Sequence, residues 1–209
     1  MPEFSFEDVG LFLPKYLSPS QQQSLFDEIK RFPAKVSYYT PPSAIGVEDM
    51  LQGDGWRGLI AIDFDTLEKK PVSGIIISNS CDIVAENAHD HSPNVLFAPI
   101  VKLDSFLNLL RDAGKSAQDV NAKADVIRKQ AISSLFYLPK YEGVMEDSIV
   151  VLDDIHRHPL QHFLASTRIR LFRLTQFAFY LFVIKLSIHL HRLNEGVARY
   201  LPASDNVGA

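Results

Sequence analysis

Side chains that could do chemistry are concentrated in one short segment, which directly follows a run of β-branched residues. Residues 78–82 read Ser-Asn-Ser-Cys-Asp and supply two hydroxyls, an amide, the only cysteine and a carboxylate. Cys81 could act as a nucleophile if a base lay within reach, whereas a buried and inert thiol is the other interpretation. Small polar side chains of these types also close turns at the ends of strands. We name residues 78–82 the polar turn.

Two groups of metal-ligand residue types occur in the chain. The groups are Cys81, Asp82, His89, Asp90 and His91, and, in the C-terminal half, His156, His158 and His162. Thiolate and imidazole together suit zinc. Neither group has the paired spacing of a known zinc motif, and Pro159 interrupts any helix that would align the second group. We therefore predict no metal and no other cofactor.

A third set of candidates is aromatic and cationic. Residues 53–58 read Gly-Asp-Gly-Trp-Arg-Gly, and the three glycines indicate a tight turn with close backbone approach. The segment is not a phosphate loop, because it lacks the Lys-Ser pair and is followed by a predicted strand. Trp56 and Arg57 could stack on a base and contact a phosphate. The alternative is a core tryptophan beside a surface arginine.

The C-terminal segment has a local excess of positive charge in a chain whose formal net charge is -4. Such an excess is the pattern that a phosphate-binding surface leaves. The alternative is ion pairing with acidic residues of the N-terminal half. The basic residues are Arg168, Arg170, Arg173, Lys185, Arg192 and Arg199, and the acidic ones Glu48, Asp49, Asp63 and Asp65. Lys129 adds to a predicted basic face on a helix in the middle of the chain.

The elements that position these residues predict one α+β domain over residues 1–209. Short strand patterns at 36–39, 59–64, 71–77, 95–101, 134–138 and 147–152 indicate a strongly bent antiparallel sheet or an SH3-like barrel over residues 36–155. Val72 and three consecutive isoleucines at 75–77 form the strand expected at the centre of the sheet, buried on both faces. Helices are predicted at 19–31, within an insertion at 104–131, and at 168–193.

The predicted C-terminal helix is apolar around most of its circumference. Arg173, Lys185 and His189 interrupt the apolar run, so it falls short of the roughly 18 to 20 residues that a membrane span needs. One face of a sheet covers only part of such a helix. We therefore expect a homodimer interface around Phe179 and Phe182, with Lys185 and His189 at its rim.

The cellular compartment of the protein is predicted from its cysteine content and its N-terminal sequence. One cysteine excludes an intramolecular disulfide, which fits a reducing cytoplasm. The sequence MPEFSFEDVG lacks the basic and long apolar regions of a signal peptide. We expect a cytoplasmic protein without a membrane partner.

Residues 52–103 resemble the plasmid-maintenance and growth-inhibitor toxins of the PemK and MazF kind. The matching positions are Gly53-Asp54, Lys70-Pro71 and Pro99-Ile100. The resemblance implies an SH3-like barrel, metal-independent endoribonuclease activity on RNA, and an antitoxin or defence-system partner protein. In that family the activity depends on an arginine and a threonine. Lys70 and Val101 stand at those positions, so the bidentate phosphate contact and the hydroxyl are both lost.

Three hypotheses follow from these observations. The first is a toxin-like or phage-defence protein that acts on RNA. The second is a non-catalytic module that binds nucleic acid or protein, and the third is a structural subunit whose terminal helix is its interface. The candidate catalytic residues are Lys70, Arg57, Asp82 and Cys81, and the candidate nucleic-acid-binding residues are Trp56, Arg57, Asn79, Ser80, Lys129, Arg168 and Arg170.

Overall fold

A computed structural model describes residues 18–20, 23, 27, 37–44, 50–63, 65–83 and 93–191. The strands in this part of the chain are β1 (Gly55–Ile62), β2 (Lys69–Ile76), β3 (Asn94–Lys102), β4 (Leu135–Leu138), β5 (Ser148–Val151), β6 (His156–Pro159) and β7 (Ile169–Phe172). The α-helices there are α1 (Leu103–Asp112), α2 (Ala117–Arg128), α3 (Leu160–Ala165) and α4 (Gln176–His191). Most of the predicted helix at 19–31 lies outside the described residues, as do His89 and His91.

The strands form one antiparallel sheet in the order β4-β5-β3-β2-β1-β7, and β6 pairs with β3 beside β5. Strands β1 and β6 are in contact although no ladder joins them, as expected for a strongly bent sheet. The sheet is not closed. The predicted α+β fold with a bent antiparallel sheet is therefore confirmed, and the barrel alternative is not formed.

The predicted central strand is buried on both faces, as expected. Ile75 packs in a cluster with side chains of α4, whereas Ile76 packs in a second cluster with Leu160 and Phe163 of α3. Neither isoleucine is exposed to solvent. We call these two faces the α4 side and the α3 side of the sheet. Helices α1 and α2, the predicted insertion, form a third cluster against β4 and β5.

The C-terminal helix begins later than predicted, because its first residues form a strand. Residues 169–172 pair with β1 as strand β7, so their backbone hydrogen bonds are made across the sheet and not along a helix. The Thr175 hydroxyl accepts a hydrogen bond from the backbone N–H of Ala178 at 3.3 Å. This is the N-cap arrangement with which a helix starts. Helix α4 therefore begins at Gln176.

Helix α4 is covered by its own chain over nearly all of its length. Between residues 176 and 190 only Gln176 and Leu190 are exposed. Phe182 is fully buried and packs edge-on against Phe136, with 5.3 Å between ring centroids. Phe179 is half-buried against the same cluster. The helix-mediated homodimer stays a prediction, but Phe182 belongs to the core of the chain and cannot meet a partner.

The prediction that Lys185 lies at a rim with its charge in water is wrong. Lys185 is 5% exposed, and its Nζ donates a hydrogen bond to the backbone carbonyl of Gln130 at 2.6 Å. Burial lowers the pKa of Lys185 to about 7. His189 is half-buried, and its Nδ1 has no hydrogen-bond partner among the described residues.

No helix in the described part of the chain is both long enough and apolar enough to cross a membrane.

Lys185 makes stability depend on pH in a predictable direction. Its pKa falls from 10.5 to about 7 on folding, so between these values the unfolded chain binds more protons than the folded one. Stability should therefore rise with pH over this window, by on the order of 1 kcal/mol per pH unit from this group. Below pH 7 the amine is charged in both states, and the cost of burying it is constant.

Urea unfolding of the wild type and Lys185→Met at several pH values tests this prediction. The wild type should gain stability relative to the variant as the pH rises from 7 towards 10, because methionine does not titrate. Parallel pH profiles of the two proteins would contradict the assignment of a neutral amine to the core.

Candidate nucleic-acid interface

The polar turn is built mainly from side chains that close the backbone. The Asn79 side-chain oxygen accepts a hydrogen bond from the N–H of Cys81 at 3.0 Å and caps the short helical turn Ser80–Asp82. The Ser80 hydroxyl accepts from the N–H of Gln52 at 2.9 Å, and the Ser78 hydroxyl accepts from the N–H of Leu96 at 2.7 Å. The turn interpretation is thus confirmed. Cys81 is exposed, so the expectation of a buried thiol is wrong.

The four candidate catalytic residues do not form one site. Lys70 lies near the start of β2, and the polar turn follows the end of that strand. The seven residues from Lys70 to Ile76 span about 20 Å. The Lys70 ammonium bonds Asp63 at 2.7 Å. That ion pair, with backbone hydrogen bonds, lowers the pKa of the half-buried Asp63 carboxyl to about 2.

Arg57 is separated from Lys70 by the sheet itself. Arg57 pairs with Ser73, which shares the α4 side with Ile75 because strand residues alternate. Lys70 lies an even number of residues from Ile76 and therefore on the α3 side. The predicted grouping of these two cations is wrong.

Trp56 is a core residue. It is 7% exposed on the α3 side and meets Phe163 edge-on, with 5.9 Å between ring centroids. Its indole Nε1 is buried and has no hydrogen-bond partner among the described residues. The expected stacking of a base on Trp56 is therefore wrong, and the alternative of a core tryptophan beside an exposed Arg57 is confirmed.

Asp54 is the buried centre of an ion-pair cluster. Its carboxylate is 1% exposed and accepts two hydrogen bonds from Arg173, at 2.9 and 2.8 Å. A nitrogen of Arg170 lies 3.9 Å from the same carboxylate. The predicted alternative, ion pairing of C-terminal arginines with an N-terminal acid, is thus confirmed for Arg170 and Arg173. The acid is Asp54, which the sequence indicated only as part of a turn.

The backbone around Asp54 is fixed by neighbouring strands. The Asp54 carbonyl accepts from the N–H of Ile76, and the Ile76 carbonyl accepts from the N–H of Gly53, both at 2.9 Å. At Gly55 a Cβ atom would lie 2.3 Å from the ring of Phe172. Glycine is therefore required where β7 crosses β1, as the predicted close approach implied.

Two arginines of the β7 segment lie over aromatic rings. The guanidinium carbon of Arg170 is 5.4 Å from the centroid of Trp56, and that of Arg168 is 5.9 Å from the centroid of Phe163. Both arginines are half-buried, and they are two residues apart. We call Arg168 and Arg170 the arginine surface. Phe163 was not predicted as a residue of this site, although the apolar residues that follow Pro159 indicated a buried segment there.

The structure brings some of the predicted binding residues together. The polar turn bonds Gln52, which is two residues from Asp54, and Asp54 contacts Arg170. Asn79 and Ser80 therefore lie at the same end of the molecule as the arginine surface. Lys129 does not: it caps α2, which packs at the β4–β5 edge, opposite to β7 in the sheet order.

No cluster of three or more His, Cys, Asp or Glu side chains that could hold a metal ion occurs among the described residues. His156 Nε2 lies 2.8 Å from an oxygen of Asp154. His158 Nδ1 lies 3.1 Å from the carbonyl of Pro159. These two histidines thus have separate partners.

Comparisons with known proteins add no relationship. No model of a protein family matches the chain, and no curated protein matches it. The resemblance of residues 52–103 to PemK and MazF toxins therefore stays a prediction.

Asp54→Asn tests whether the ion-pair cluster holds this region together. The substitution keeps the size of the side chain but leaves the Arg173 guanidinium opposite an amide, so we expect a loss of about 2 to 4 kcal/mol in the free energy of unfolding. Asp65→Asn is the matched control, because it removes the same charge from an exposed turn and should change stability by less than about 0.5 kcal/mol. Equal urea midpoints for the two variants would contradict the proposed importance of Asp54.

Proposed function

We propose that this protein is a non-catalytic module that binds single-stranded RNA, and that Arg168 and Arg170 contact the phosphate backbone. The observation that carries the proposal is the arrangement of these two guanidiniums, each over an aromatic ring at the same end of the molecule. A planar guanidinium presents a fork of N–H donors that matches a phosphate.

The aromatic rings fix the arginines before a ligand arrives. Phe163 and Trp56 are both buried and meet edge-to-face, so the rings under the two guanidiniums form one rigid base. Arg168 directly precedes β7, and residues two apart in extended chain place their side chains about 7 Å from each other on one face. The side chains lose less freedom on binding than two flexible lysines would, which supports affinity.

The charge distribution supports a phosphate-bearing ligand. The chain as a whole carries a formal charge of -4, so binding must come from a local surface. Both carboxylate oxygens of Asp54 accept hydrogen bonds from Arg173. Asn79 and Ser80 lie at the same end of the molecule, and short polar side chains of these types suit the edges of unpaired bases. The choice of RNA over other polyanions comes from the resemblance to RNA-directed toxins.

Binding is favoured over cleavage by the separation of the candidate catalytic residues. Lys70 lies about 20 Å along β2 from the polar turn, and Arg57 lies on the other side of the sheet. Metal-independent cleavage requires several groups within reach of one phosphodiester. The residues predicted for that chemistry do not meet this requirement together.

Fluorescence anisotropy with a labelled single-stranded RNA tests the proposal. The wild type should bind saturably and more weakly as salt rises, and Arg168→Ala should bind about tenfold more weakly because one charged contact is lost. The slope of log affinity against log salt should fall by about one for that variant. Lys129→Ala is the matched control, because it removes an exposed positive charge at the opposite edge, and it should bind as the wild type does.

The same mixtures, run on a denaturing gel, separate binding from cleavage. Intact RNA with both arginine and lysine variants agrees with the proposal. Products that disappear with Lys70→Ala would establish the ribonuclease hypothesis instead. A wild type without saturable binding at low salt would contradict the proposal altogether.

A further inference from the structure

Lys185 places a titratable amine inside apolar packing. It lies in helix α4 near Phe182 and Leu186, which belong to the hydrophobic cluster on the α4 side of the sheet. Its Nζ donates one hydrogen bond, to the backbone carbonyl of Gln130 at 2.6 Å, and has no ion-pair partner among the described residues. An ammonium group has three N–H donors, and the described residues supply one acceptor. A charge at this position is therefore costly.

The acceptor residue, Gln130, stands in a turn with a strained backbone. The turn, residues 129–134, joins the end of α2 to the start of β4. Gln130 has a φ of 58°, in the left-handed region that is unfavourable for a residue with a Cβ. Lys129 and Ala131, on either side of it, are exposed. The turn thus lies at the surface, and its conformation at Gln130 must be maintained by contacts.

The side chain of Gln130 supplies such contacts. Its Nε2 donates hydrogen bonds to the backbone carbonyl of Tyr137 at 2.7 Å and to the hydroxyl of Tyr38 at 3.3 Å. Its Oε1 accepts from the N–H of Tyr137 at 3.0 Å. With Lys185, these bonds join α4, the end of α2, β4 and the segment before β1. We call Lys185, Gln130, Tyr38 and Tyr137 the lysine latch.

We propose that the lysine latch is a pH-sensitive conformational device, in which uptake of a proton by Lys185 favours movement of the turn 129–134 away from α4. Two gains favour a local movement. Gln130 can leave its left-handed conformation, and the charged amine can reach water at the end of its long side chain. The inference is independent of the RNA proposal, because the turn lies at the sheet edge opposite the arginine surface.

The direction of the pH dependence follows from the two states of the amine. Burial lowers the pKa of Lys185 to about 7 in the closed latch, and the ordinary value of 10.5 applies once the amine is in water. Between these values the open form binds more protons than the closed form. The opening constant, the ratio of open to closed latch, should therefore rise about tenfold for each unit by which the pH falls. Below pH 7 the amine is charged in both forms, and the opening constant levels off.

The other ionisable groups around the latch do not explain a change above pH 7.5. Burial raises the pKa of Tyr137 to about 12 and also raises that of Tyr38, so both hydroxyls stay protonated. Arg128 of α2 lies 3.7 Å from Asp147, and side chains of these two types do not titrate between pH 7 and 10. His189 follows one turn later on α4, and histidine changes charge mainly below pH 7.5.

Hydrogen exchange of the full chain between pH 7.5 and 9.5 tests the latch. The amides of Gln130, Ala131 and Tyr137 are the probes, because each donates a hydrogen bond in or to the turn. Their exchange, divided by the intrinsic rate at each pH, gives the opening constant. In the wild type it should fall about tenfold for each pH unit.

Lys185→Met should abolish this pH dependence, because methionine does not titrate. Lys129→Met is the matched control, since it removes an exposed lysine from the same turn, and it should follow the wild type. His189→Asn should also follow the wild type. If Lys185→Met does not fold, Lys185→Gln takes its place, because glutamine is neutral and keeps a donor for the carbonyl of Gln130.

Three results would overturn the proposal. The first is a wild-type opening constant that does not change with pH, and the second is a pH dependence that persists in Lys185→Met or Lys185→Gln. The third concerns the amides of Ile76 and Ile77, which bond Asp54 and Leu96 in the sheet and report global unfolding. They should have opening constants at least tenfold below those of the turn at the same pH. Equal values would show that the turn moves only when the whole chain unfolds.

Discussion

The buried ion pair between Asp54 and Arg173 joins the parts of the molecule on which the candidate interface depends. Asp54 stands at the start of β1 and is bonded through its backbone to the end of β2. Arg173 lies between β7 and α4, so the pair ties the sheet edge to the start of the most buried helix. A buried carboxylate is tolerated because both hydrogen bonds are made. The arginine surface lies directly beside this junction.

Helix α4 and strand β1 differ in how far their apolar side chains are exposed. Helix α4 has apolar side chains on all sides, and those from residue 177 to residue 188 are buried or half-buried within the chain. Lys185 is buried among them. Strand β1 has fewer apolar side chains, of which Ile60 and Ile62 are exposed and Leu59 is buried.

Much of the sheet could be predicted from sequence, because β1 to β5 contain long apolar or alternating runs. Strands β6 and β7 could not: His156, Arg157 and His158 have no strand pattern, and residues 168–175 carry apolar groups at helical spacing. These two segments become strands because they pair with β3 and β1, which is a tertiary effect. For the site, the arginines were predictable from local charge. Their partner Asp54 was not, since 119 residues separate it from Arg173 and no local signal connects them.

The most direct test of the central claim is to locate bound RNA on the protein. Photo-crosslinking of a single-stranded RNA to the full chain, followed by mass spectrometry of the peptides, reports which residues touch the ligand. The account predicts crosslinks in peptides that contain the arginine surface and the polar turn. Crosslinks confined to the peptides of Lys70 or Lys129, with none near β7, would contradict it.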